Sequence, residues 1–251
     1  MRPAGLAAIA LAAGIGFAFA RDDRPRERYP DPLNVVVPHV STDKDVALDY
    51  DIVYVRAPRA GDETHKRFFT DFSAPVAMEP GADLMLLRPD GSEELLVKGG
   101  NGSVTDPVVS LDGEWVYYVL LHNMVKANQW NPPKEGSDIY KIHLKSRKVV
   151  RLTNQRFSPN LGAANWSADF RSPEPGKSHF QYGVFNMGPC PLPGGRVAFT
   201  SNRDGFRPAK GYPAVCLQLF IMDDRDADLP ADADPTNLEK IGHLNLAGAL
   251  H

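Results

Sequence analysis

The side chains best suited to chemistry are imidazole, guanidinium, indole and phenol groups that fall in long segments between apolar runs. Long segments carried on a rigid scaffold are where binding usually occurs. The pattern therefore predicts one face of the molecule that binds a ligand or a protein partner. The candidate residues for this face are His65, His122, Trp130, His179, Tyr182, Arg203 and Tyr212.

Some of these residues also have a structural interpretation. His122 follows an apolar run and would cap the end of a strand, and Arg203 stands beside Asp204 in a turn, where an internal ion pair would form. Histidine and cysteine are also ligands for metals and haem iron. Three further residues are candidates for such a contact, with a solvated ring as the alternative for the histidines: Cys216, His243 and His251.

The two cysteines, Cys190 and Cys216, leave three alternatives open. In an oxidising compartment two cysteines indicate a disulfide. The strand assignment places a strand between them, so their separation is about two inter-strand spacings of ~4.8 Å. A disulfide needs Cα atoms within roughly 7 Å. The alternatives are thus a Cys190–Cys216 disulfide, free buried thiols, or a metal or haem contact.

Charge and motifs exclude several classes of function. The chain has 28 basic and 31 acidic residues among 251, a net charge of −3, and nucleic-acid binding needs a basic face. The sequence contains no Cys-x-x-Cys-His, no Gly-x-Ser-x-Gly, no P-loop and no dinucleotide fingerprint. The acidic segment 223–234 lacks the glycine and terminal glutamate of an EF-hand, so we predict a solvated loop. We expect no cofactor within this chain.

The first residues have the layout of an export signal. A basic start, an apolar run and small residues before Arg21 predict a signal peptide over residues 1–20. Its apolar run is too short for a bilayer span of roughly 20 residues, and an uncleaved anchor is the alternative. Residues 21–34 are rich in charge and proline and predict a linker. We therefore expect a periplasmic or secreted protein with no stable membrane span after cleavage.

Short β-branched and aromatic runs dominate the remaining chain and recur in a fixed order. One unit has DPVVSLDGEWVYYV, then SDIYKIHL and KVVRLT, and a second has GPCPLPGGRVAFTSNRDG, then LQLFIMDD and LEKIG. An earlier copy begins in mid-unit with YDIVYVRAPR. Each unit reads as four strands, here termed inner, second, third and outer, the arrangement of β-propeller blades.

This repeat resembles the TolB-type propeller repeat, a relative of the WD type. The matching residues are Pro107, Asp112, Gly113, Asp138, Ile139, Tyr140, Ser201, Asn202, Arg203, Asp204 and Gly205. The resemblance implies an all-β fold, a partial β-propeller of four-stranded antiparallel blades within residues 35–251. The predicted blades span 50–98, 104–153 and 184–242, with a next blade starting at 244–251, so we expect the chain to be a fragment.

A closer resemblance covers PCPLPGGRVAFTSNRDGF, KGYPAVCLQLFIMDD and IGHLNLAGALH, which are similar to proteins related to the hydrazine synthase α subunit. That resemblance implies an exported binding or scaffold module of a larger protein, without catalysis in this chain alone and with a protein domain or subunit as partner. One alternative is part of a periplasmic c-type haem oxidoreductase, with haem c held by a missing C-terminal part. The other is a TolB-like scaffold for protein interactions.

Overall fold

The computed structural model describes residues 42–43, 45, 49–58, 79–125, 133–159, 183–205 and 217–241. They all belong to one compact unit, residues 39–251. The predicted signal peptide and linker lie outside the described residues and stay predictions. The described residues form strands and short 3-10 turns with no α-helix, which confirms the all-β class.

The strands follow the predicted order and form three antiparallel sheets. The first sheet has order β1-β2-β3, the second β4-β5-β6-β7 and the third β8-β9-β10-β11. Their bounds are β1 Ile52–Arg56, β2 Asp83–Leu87, β3 Glu93–Val97, β4 Ser103–Val109, β5 Trp115–Leu121, β6 Ser137–His143, β7 Val149–Arg151, β8 Asn186–Leu192, β9 Arg196–Ser201, β10 Gln218–Asp223 and β11 Leu238–Lys240. The inner strands are β4 and β8, and the outer strands are β3, β7 and β11.

Alternation along the strands gives the second sheet two apolar faces. In β5, Val116 and Tyr118 pack with Leu84 of the first sheet. Tyr117 and Val119 belong to a second cluster, which also contains residues of the third sheet, namely Met187, Val197, Phe199, Phe220 and Met222. Because side chains of a strand alternate between faces, a continuous apolar run such as WVYYVLL is what a sheet buried on both sides requires.

The connections divide between two ends of the sheets. One end of the sheets is where the strands joined by the connections 57–82, 122–136, 152–185 and 202–217, and by the short connection 98–102, end and begin. This end is called the long-loop face. The other end carries the turns 88–92, 110–114, 144–148 and 193–195 and is called the tight-turn face. One long connection, residues 224–237 between β10 and β11, starts at the tight-turn face.

Both inner strands carry a bulge at the same place. Asp106 and Gly188 have φ angles of 51° and 57°, and the register of each strand shifts there. Each precedes a proline, which cannot donate a ladder hydrogen bond. Asp106 Oδ2 accepts a hydrogen bond of 3.0 Å from the Gly188 amide, so the two bulges are joined to each other.

The junction between the first and second sheets is made of backbone and apolar contacts. The amides of Gly81 and Val104 donate to the carbonyls of Gly102 and Ala82 at 2.7 and 2.9 Å. Gly102 also approaches β5 of its own sheet closely: a Cβ there would lie 1.9 Å from the carbonyl oxygen of Leu121, so this position requires glycine. At the tight-turn face, Glu94 accepts hydrogen bonds from two partly exposed arginines, Arg88 and Arg147.

Candidate functional site

A partly exposed histidine and a buried aspartate meet where the long-loop face joins the second sheet. His122 follows β5, and Asp138 is the second residue of β6, so the antiparallel pairing of these strands brings them together. His122 Nε2 lies 2.8 Å from Asp138 Oδ2, with side-chain exposures of 21% and 0%. Because an ionised carboxylate only accepts hydrogen bonds, Nε2 donates, and Nδ1 is the acceptor of the neutral ring.

Asp138 is the hub of this arrangement. Its Oδ1 accepts hydrogen bonds of 2.7 Å from Thr153 Oγ1 and from the Gln155 amide, and its Oδ2 accepts one of 2.5 Å from Arg151 Nη2. Burial alone would raise the pKa of Asp138, but the hydrogen bond from His122 and the charge of Arg151 outweigh it and hold this pKa below its usual value. Asp138 is therefore a buried anion that orients its neighbours.

The hub continues into the third sheet through buried polar groups. Asn186 Nδ2 lies 3.4 Å from Asp138 Oδ1, and Asn186 Oδ1 accepts a hydrogen bond of 2.7 Å from Arg203 Nη2. Arg203 Nη1 donates to Asp234 Oδ2 at 2.8 Å, and both side chains are 4% exposed. Ser158 Oγ donates to the same carboxylate oxygen at 2.7 Å. A connected polar chain thus runs from His122 to Asp234 between the two sheets.

Arg203, a candidate for the binding face, lies inside the protein. Its guanidinium also lies over the rings of Phe199 and Phe220, at 5.4 and 5.5 Å from their centroids. The arginine pairs with Asp234 rather than with its neighbour Asp204, whose carboxylate binds Lys240 at 2.5 Å. These contacts give both residues of the Arg203-Asp204 motif a structural role.

The connection 224–237, called the strap from here on, binds a buried lysine of the second sheet. Lys141, on β6, is 1% exposed, and its Nζ lies 3.0 Å from Asp224 Oδ2 and 2.9 Å from Asp226 Oδ1. The same Nζ lies over the Trp115 ring at 4.4 Å from its centroid, an attractive cation–π geometry. The carboxylates and the ring compensate for the burial of this ammonium group.

The strap then follows the outer strand β7. The Arg151 amide donates to Asp228 Oδ1 at 2.8 Å, and the Leu229 amide donates to the Arg151 carbonyl at 3.4 Å. Farther along, Asp234 Oδ1 accepts a hydrogen bond of 2.6 Å from the Asn154 amide. Since β7 pairs with β6 on its other side, the strap covers the edge of the second sheet, which is otherwise open to pairing with other chains.

Most of the acidic segment 223–234 is exposed, as the sequence predicted for a solvated loop, but the segment also makes specific contacts with the protein. Asp234 is buried, and Asp224 binds Lys141 and Tyr117. Burial and the hydrogen bond to Asp224 raise the pKa of Tyr117. The sequence did not reveal these contacts because the partners of the two carboxylates, Lys141, Tyr117 and Arg203, lie 31 to 107 residues upstream in the chain.

The sulfur of Cys190, on the inner strand β8, is exposed. The alternative of a buried thiol is therefore wrong for Cys190. Cys216 lies outside the described residues, so the disulfide and the metal or haem contact remain predictions.

Most of the other candidates also lie in undescribed parts of the chain. These are His65, Trp130, His179, Tyr182, Tyr212, His243 and His251. Within the described ranges, no group of three or more His, Cys, Asp or Glu side chains is arranged to hold a metal ion. In the same ranges, no helix is long and apolar enough to cross a membrane.

The sequence missed Lys141, Asp224 and Asp234. Lys141 did leave a signal, because it stands two residues after Ile139 and so shares a buried face of the sheet. A lysine at such a position requires anionic partners. The sequence does not say where in the chain those partners are.

No protein-family model matches the chain, and no curated protein matches it. Among solved structures, the chain is similar to the structure of putative TolB from Agrobacterium tumefaciens, with 18% sequence identity and a TM-score of 0.35. The match covers 63% of this chain and 40% of that chain. A likeness of this strength carries no information about function, and the resemblance to hydrazine synthase α-related proteins remains a prediction.

Proposed function

We propose that this chain is the scaffold portion of an exported propeller protein and that it binds a protein partner through its long-loop face. The observation that carries the proposal is the placement of His122 at that face. Asp138 fixes the orientation of the His122 ring through the contact with Nε2, and the connection 122–136 begins at His122. A fixed ring beside long connections is suited to recognition.

The sheets below this face support the proposal because they are rigidly joined. Asp138 connects β5, β6 and the residues after β7 through hydrogen bonds to His122, Thr153 and Gln155. Asn186 and Arg203 extend the chain into the third sheet. Binding groups supported in this way lose little conformational freedom when a partner docks.

Photo-crosslinking from two faces tests the proposal. A photoreactive amino acid replaces Val125 on the long-loop face, or Leu111 on the tight-turn face as the matched control, since their exposures are 54% and 74%. We expect a discrete protein adduct from position 125 in the native cell and none from position 111. His122→Gln, which keeps a donor for Asp138, should lower the yield at position 125. Equal adducts from both positions would contradict the proposal.

The finer proposal is that this scaffold belongs to a larger protein like those related to the hydrazine synthase α subunit. It rests on the resemblance of the three sequence segments described above. The intact mass and the visible spectrum of the protein isolated from its own cell test it together. A mass well above that of residues 21–251 supports a larger protein, and a haem c Soret band favours the oxidoreductase alternative. A colourless protein that ends at His251 would leave only the scaffold.

A further inference from the structure

We propose that the strap is a detachable cover and that the edge beneath it, on β7, is a docking site for an extended acidic segment of another protein. This surface is separate from the long-loop face. The strap occupies it as an internal substitute for that partner.

The strap is not needed to join its two strands. Met222 of β10 pairs directly with Leu238 of β11, so the strap begins and ends at one place. The equivalent connections of the other sheets are the turns 88–92 and 144–148. A surface loop whose ends are close together can leave the surface without breaking the hairpin that carries it.

The strap makes mainly polar contacts with the second sheet. The strap reaches the second sheet mainly through carboxylates and carbonyls, including Asp226, whose carbonyl accepts from Lys148 Nζ and whose side chain is 82% exposed. Leu229 is its one buried apolar side chain. Little apolar surface is exposed to water when the strap leaves, but the buried cations Lys141 and Arg203 then require that another segment with carboxylates takes its place.

The groups at the covered edge indicate the chemistry of the partner. The covered edge offers the amide and carbonyl of Arg151, which are the groups that a paired strand uses. Next to them stand the ammonium groups of Lys141 and Lys148, each of which contacts the strap. A segment that satisfies these groups and Arg203 must be extended and must carry carboxylates at the spacing of Asp224, Asp226, Asp228 and Asp234.

The strap's own sequence is the probe that tests this proposal. A labelled peptide DDRDADLPADADP, residues 223–235, is titrated by fluorescence anisotropy against the full chain and against a variant in which a two-residue Asn-Gly turn replaces residues 225–236. An intramolecular strap acts at an effective concentration in the millimolar range, so the shortened variant should bind at least about tenfold more tightly than the wild type. The control peptide carries Asn at positions 224 and 226.

Hydrogen exchange supplies a second measurement on a variant that keeps the strap. In Asp224→Asn/Asp226→Asn the exchange of the Arg151 amide should accelerate at least about tenfold more than that of the central Val119 amide, which reports the global loss of stability from unpairing Lys141. This variant also takes the place of the shortened chain in the peptide titration if the latter does not fold. Unchanged exchange at Arg151, or equal binding of the two peptides, would overturn the proposal.

Discussion

The two junctions between neighbouring sheets are held together by different kinds of contact. The first and second sheets meet through apolar side chains such as Leu84 and through backbone hydrogen bonds, with Glu94 bridging exposed arginines. The second and third sheets add the buried chain from Asp138 to Asp234 and the strap. The repeat therefore determines how the sheets stack, whereas one lengthened connection adds ionic contacts between two of them.

The largest loss in the free energy of unfolding is expected where a buried charge loses its partner. Asp234→Ala leaves the guanidinium of Arg203 buried and unpaired, and we expect a loss of about 3–5 kcal/mol in the free energy of unfolding. Urea denaturation followed by circular dichroism measures it. Asp51→Ala, which removes an exposed partner of Arg88, is the matched control and should cost less than about 1 kcal/mol.

The stability of the junction between the first and second sheets should depend on apolar packing rather than on ionic strength. Leu84 is fully buried, and Leu84→Ala should cost about 2–5 kcal/mol. Because no charge is removed, this loss should be the same at low and high ionic strength. The prediction fails if the loss from Leu84→Ala falls as salt is added.

Lowering the pH should weaken the junction between the second and third sheets before it weakens the junction between the first and second sheets. The pKa of Asp138 is held below its usual value, so the folded state favours the ionised carboxylate. That contribution is complete above the unfolded pKa of about 3.9 and is lost as the pH falls through the folded pKa. The hydrogen bond and charge of Lys141 likewise lower the pKa of Asp226.

Urea midpoints between pH 7 and pH 2.5 check this expectation. Asp138→Asn should show a shallower loss of stability over the acid part of that range than the wild type does. Leu84→Ala, which leaves every titrating group in place, should keep the wild-type slope. Parallel curves for the wild type and Asp138→Asn would refute it.

The smallest loss in the free energy of unfolding is expected for the partly exposed ion pairs between the first and second sheets. Glu94 contacts Arg88 and Arg147, all of them more than a third exposed on their side chains. Glu94→Gln should therefore cost less than about 1 kcal/mol, and 1 M salt should abolish even that difference. A larger, salt-resistant loss in the same denaturation assay would show that the two junctions are more alike than the contacts indicate.

The sequence predicted the strands well because each is a local pattern. WVYYVLL and SDIYKIH became β5 and β6, and the tight turn at Asp112-Gly113 joins β4 to β5. The contacts of the strap were not predicted because their partners are distant in the sequence. Asp226 lies 85 residues from Lys141, and Asp228 lies 77 residues from Arg151. Of the predicted binding face, the sequence located His122, while Asp138 stood out only as part of the repeat.

The distance along the chain between the strap and its partners has a kinetic consequence. Hairpins between consecutive strands close short loops and form early, whereas contacts over 77–85 residues wait until most of the chain is in place. Interactions that form after the transition state change the rate of unfolding and leave the rate of folding almost untouched. Changes in the strap should thus leave refolding as fast as before and shorten the lifetime of the folded molecule.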